Sequence, residues 1–115
     1  METQNNKYEE IYIDGMLASE EEQKQLVKRY IKGAKEVKVY AEDYIRNVHG
    51  HNMVRNLATV LVEKRKKCYS LKYIFTRWAL DAIEEEGYSV TWYHNFGTKR
   101  VYILTKKRQK KVVQE

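Results

Sequence analysis

Residues 68–107, CYSLKYIFTRWALDAIEEEGYSVTWYHNFGTKRVYILTKK, contain the change of pattern on which the fold turns. Ser70 can cap free backbone N–H groups and Gly87 can take the left-handed conformation that ends a helix, so the spacing predicts a helix over 70–86. Within it Leu71, Ile74, Phe75, Trp78, Ala79 and Ala82 recur three and four residues apart, forming an apolar side that needs a core. Lys72, Tyr73, Thr76 and Arg77 fall mainly on the other side. After Gly87 the period becomes two. Tyr88, Val90, Trp92 and His94 share one strand face, Ser89, Thr91 and Tyr93 the other, and Val101 to Thr105 reads as a second strand. Asn95-Phe96-Gly97-Thr98 closes this hairpin, with Lys99 and Arg100 beside its tip.

Working outward toward the N-terminus, Ser19 and Glu22 have the capping-box spacing that opens a helix. Beyond them Val27, Tyr30, Ala34, Val37, Ala41, Tyr44 and Val48 alternate by three and four, the seam of a 3.5-residue repeat. An uninterrupted helix 20–47 would be about 42 Å long at 1.5 Å per residue, unless Gly33 breaks it. Its seam either pairs with a second copy, making a homodimer, or packs against the next helix of the same chain. His49-Gly50-His51-Asn52 marks a break. Met53, Val54, Leu57, Ala58, Val60, Leu61 and Val62 then read as a short apolar helix with Lys64 to Lys67 as its basic exit. Lys7 to Ile13 reads as a short strand able to pair with the hairpin edge, or as an irregular arm.

Helix, glycine exit and basic-tipped hairpin together resemble the winged helix-turn-helix family, the resemblance being carried by TRWALDAIEEEGY (76–88) and TWYHNFGTKRVYIL (91–104). It implies an α+β, mainly helical fold with a long N-terminal helix and a C-terminal β-hairpin wing. It also implies a transcriptional regulator whose partner is duplex DNA, with helix 70–86 in the major groove and hairpin 88–105 on the backbone or an adjacent minor groove. On that reading the DNA-binding residues are Lys66, Lys67, Ser70, Lys72, Tyr73, Thr76, Arg77, Lys99, Arg100, Lys106 and Lys107. Arg77 would pair with a guanine edge, Thr76 would bond a base or touch a thymine methyl, and Lys72 and Tyr73 would contact bases or phosphate, while Lys99 and Arg100 reach the backbone or an adjacent minor groove.

Two other classes of function stay open. A seam-bearing helix and a basic, tyrosine-rich surface suit a protein-binding module or inhibitor of an acidic partner. Tyr88, Trp92, Tyr93, Phe96 and Tyr102 on a basic hairpin suit a binder of RNA or single-stranded nucleic acid. Ranked ahead of stacking is the expectation that Trp92 and its same-face neighbours cover the helix.

Composition sets the outer bounds. At 115 residues and 43% apolar content the chain makes one domain, 19–107, with an N-terminal arm or strand over 1–18 and a basic tail over 108–115. A net charge of +6 attracts phosphate-rich partners. One cysteine, Cys68, excludes an intrachain disulfide. The lack of a long apolar run predicts no membrane span and an intracellular setting, cytoplasm or nucleoid, and the small size fits a viral or plasmid origin. His49, His51, His94 and Cys68 lack the paired spacing of a metal site. No glycine-rich phosphate loop, nucleophile elbow or HExxH helix occurs, so neither a cofactor nor an enzyme is expected.

Overall fold

The structure, a computed structural model, describes residues 9–15 and 18–107; the predicted tail 108–115 and the start of the predicted arm lie outside them. Eight elements follow in order: β1 (Glu9–Asp14), α1 (Glu20–Ile31), β2 (Glu36–Val48), β3 (His51–Lys64), β4 (Lys67–Phe75), α2 (Thr76–Glu85), β5 (Tyr88–Phe96) and β6 (Lys99–Lys106). The strands form a six-stranded sheet in the order β1-β4-β3-β2-β6-β5. β1 runs parallel to β4, and the remaining pairs are antiparallel.

The expected mainly helical, winged helix-turn-helix fold is therefore corrected to a mixed sheet with two helices. α1 does begin at the capping box: the Glu22 amide donates to Ser19 Oγ at 3.2 Å, and the Ser19 amide donates to the Glu22 carboxylate at 2.9 Å. It stops at Ile31, just before Gly33 at φ 83°, so the long helix 20–47 and its dimer seam do not exist. Val39 shows why. Val37, Val39 and Ala41 are all buried, an alternation that only a strand satisfies, although 37 and 41 alone also fit a helical turn. The predicted helix from Met53 to Val62 is likewise strand, burying Ala58, Val60 and Val62 at period two.

The predicted recognition helix 70–86 divides at Phe75 into the end of β4 and the shorter α2. Its helical spacing at Leu71 and Ile74 comes from a bulge. Val60 pairs with Leu71 and Ala58 with Ile74, so β4 advances three residues while β3 advances two, and Tyr73 takes φ 60°. An extra residue thus puts two side chains three apart on the same side of a strand.

Both helices pack on one side of the sheet. Val27 and Ile31 of α1, and Ala79, Ala82 and Ile83 of α2, meet Val37, Val39, Val60, Val62, Leu71, Ile74 and Leu104 in a single core. Among the described residues the other side carries no helix. Among the described residues no helix is long and apolar enough to cross a membrane.

Candidate functional site

Residues paired across neighbouring strands point to the same side of a sheet. Tyr88 and Val90 pair with Lys106 and Leu104 and so face the helices; Tyr88 is buried and its hydroxyl donates to the Ile31 carbonyl at 2.9 Å. Two residues further on, Trp92 pairs with Ile103, one step along β6 rather than two. Thr91 is the extra residue of this second bulge, and its hydroxyl donates to the Ile103 carbonyl at 2.9 Å. Trp92, His94 and Phe96 are thereby turned to the open side. The expectation that Tyr88, Val90, Trp92 and His94 share a face covering a helix is corrected: Trp92 is 50% exposed and Phe96 58%.

The three rings form a ladder along β5. Trp92 and His94 stack at 5.6 Å between centroids and 22° between planes, and His94 meets Phe96 at 4.0 Å. Across the sheet the same side carries Tyr40 and Tyr44 of β2, Arg55 and Leu57 of β3, Tyr73 of β4, and Lys99, Val101 and Ile103 of β6. Two shallow hollows join at Tyr44. One, of about 290 Å³, lies among Tyr40, Thr59, Phe96, Lys99 and Val101; the other, of about 200 Å³, lies among Arg46, Met53, Arg55, Leu57 and Tyr73. Both are smaller than the clefts that enclose drug-sized ligands. A surface this flat offers ring faces rather than an enclosed pocket. Burial raises the Tyr44 hydroxyl above its ordinary pKa, with smaller pushes from Glu42 and Tyr73, so it stays a neutral donor at physiological pH.

β2 and β3 extend past the rest of the sheet. β6 leaves β2 after Glu42, and β4 leaves β3 after Leu57. Residues 44–55 form a bare two-stranded arm about 17 Å long at 3.4 Å per residue. Its turn, His49-Gly50, has both φ angles positive, 51° and 80°. The arm contains Arg46 and Arg55 and no acidic residue. Tyr44, Ile45, Met53 and Val54 are exposed on it.

The residues expected to contact DNA do not converge. Ser70 is buried in β4, and Thr76 is buried at the start of α2 with its hydroxyl unpartnered. Arg77 is exposed on α2, on the helical side of the molecule. Lys72 and Tyr73 reach the open side, where the Lys72 amine lies 5.2 Å from the Tyr12 ring. Lys99 and Arg100, 3.9 and 3.8 Å from Glu42 and Asp43, lie at one end of β6, and Lys106 and Lys107 lie at the other. Lys66 and Lys67 share the latter end of the sheet. Among the described residues no group of three His, Cys, Asp or Glu is placed to hold a metal. Tyr40, Tyr44, Arg46 and Arg55 escaped the sequence reading because their segments read as helix. The available signal was His49-Gly50 between valine-rich runs of period two, Val37 with Val39 and Val60 with Val62.

Comparison with protein-family models, curated proteins and solved structures finds no match to this chain.

Proposed function

We propose that this chain binds single-stranded nucleic acid across the open side of its sheet. Bases stack on Trp92, Phe96, Tyr40, Tyr44 and Tyr73, while Lys99 and the arm's Arg46 and Arg55 hold the backbone. The observation that carries this reading is the Thr91 bulge, which turns a tryptophan-led row of rings away from the core. Exposed rings of this kind cost solvation in the free protein, and a stacked base removes that cost, each contributing about 1–3 kcal/mol. The net charge of +6 works in the same direction. Lys99 is 3.9 Å from Glu42 and both are exposed, so that ion pair is weak enough to yield to a phosphate.

The arm supports a second reading, duplex binding. A two-stranded ribbon fits the major groove, and an arm without acids meets no repulsion there. On this reading sequence choice and transcriptional regulation rest with Arg46 and Arg55, which share one face of the ribbon, rather than with a helix.

Affinities for single-stranded DNA, single-stranded RNA and duplex DNA at one salt concentration separate the two. The first reading expects the single strands to bind more tightly, and Trp92→Ala and Phe96→Ala each to weaken them about fivefold or more with an unchanged melting temperature. Tighter duplex binding that is insensitive to Trp92→Ala would favour the arm. No binding to any of the three removes both readings.

A further inference from the structure

The end of the sheet opposite the arm carries a groove of about 670 Å³ between the α1–β2 loop and the β3–β4 turn. Lys32, Lys35, Lys64, Arg65 and Lys67 line it, with Gly33 and Tyr69, and Glu63 is its one acid. Among the described residues none of Lys32, Lys35, Lys64, Arg65 and Lys66 forms an ion pair. The Lys64 amine donates to the Lys32 carbonyl at 2.6 Å, and its pKa is held below the usual lysine value by burial first and then by Arg65 and Lys32. Cations are therefore crowded here, with Glu63 the one acid in the lining.

The turn itself is the second observation. Lys64 pairs with Lys67, so the loop is two residues, Arg65-Lys66, and both take positive φ, 53° and 66°. Such a turn is met at least cost by Asn-Gly, since a side chain in the left-handed region is strained. This chain places two long cations there instead. Strain of this kind persists where a function requires the side chains. Across the groove Gly33, at φ 83°, has open space where a side chain would project, so an anion can approach the backbone. The negative end of α1 points toward this region, but two carbonyls there are engaged: Ile31 accepts from Tyr88 and the Ala34 amide, and Lys32 from Lys64.

We infer that this groove binds the phosphate groups of a nucleotide, whether free or at the phosphorylated end of a strand. Arg65 closes on the phosphates from the turn, with Lys66 adding charge beside the groove, and Lys35 meets them from the opposite loop. The site is distinct from the open side of the sheet and does not depend on it.

Calorimetric titration of the full chain with inorganic triphosphate, a nucleoside triphosphate, and two short strands differing only in a 5′ phosphate tests the assignment. Inorganic triphosphate is expected to bind. Arg65→Asn combined with Lys66→Gly should weaken it about tenfold or more. The same double variant should raise the thermal midpoint by roughly 5 °C, because it relieves the turn. Lys35→Gln provides a second loss without touching the turn. Trp92→Ala should leave triphosphate binding unchanged, so failure here and failure of base stacking are read separately. Preference for the phosphorylated strand assigns the strand end, and equal strand binding with a bound nucleoside triphosphate assigns the free nucleotide. Inorganic triphosphate that does not bind at millimolar concentration, or binds equally to the double variant, overturns the site.

Discussion

Gln23 is fully buried and uses both ends of its amide. Nε2 donates to the Gly15 carbonyl at 2.6 Å, and Oε1 accepts from the Phe75 amide at 3.0 Å. One side chain thus joins the β1–α1 connection to the start of α2, a helix without a side-chain N-cap. Gln23→Leu leaves the Phe75 amide without its acceptor, while the Gly15 carbonyl keeps the Ala18 amide at 3.0 Å, and is expected to cost about 1–3 kcal/mol, measured by denaturant unfolding. A loss below about 0.5 kcal/mol would mean that water replaces the amide. Tyr88 plays the matching part at the other end of α1. Burial, with a smaller push from Glu86, raises its hydroxyl above the ordinary 10.0. A raised folded-state value gives stability that is complete below the unfolded value and lost as pH rises through the folded one. Tyr88→Phe should therefore flatten the fall in stability above about pH 10, seen as thermal midpoints against pH.

At the scale of elements, the two bulges decide more than any regular strand. The one at Tyr73 let Leu71 and Ile74 imitate a helix; the one at Thr91 reversed the side to which Trp92 points. A bulge leaves no hydrophobic signature of its own, since it is an extra residue opposite a neighbour far off in the chain. The capping box, the helix end at Gly87 and the hairpin after it were legible because each depends on residues only a few positions apart. The arm was not legible, because its pattern satisfies period two and period 3.6 in turn and only pairing in space separates them. Its turn supplies a prediction of its own. His49 sits at φ 51° before Gly50, so His49→Asn produces the Asn-Gly pair this turn prefers. The variant should slow amide hydrogen exchange along 44–55, and unchanged exchange would show that the arm is held by something other than its turn.

For the whole molecule, one side of the sheet holds the core and the other holds the exposed rings, with an acid-free arm at one end and crowded cations at the other. If strands bind along the open side, affinity must fall as salt rises, by about 0.7 log units per log unit of salt for each phosphate contacted. Replacing both Arg46 and Arg55 with Gln should lower that slope by about 1.4 while leaving the ring-dependent part intact, measured by titration over a range of salt. An unchanged slope would place the backbone elsewhere.

By itself the sequence determined the cationic balance, the start of α1, the glycine exit after α2 and the final hairpin, because composition and short-range geometry depend only on neighbours in the chain. The tertiary structure alone decided that residues 36–64 are paired strands and that Trp92 faces outward. Strand pairing and bulge position are set by hydrogen bonds to distant strands and by the single side on which the helices can bury the valines, and neither is written in the spacing of one segment.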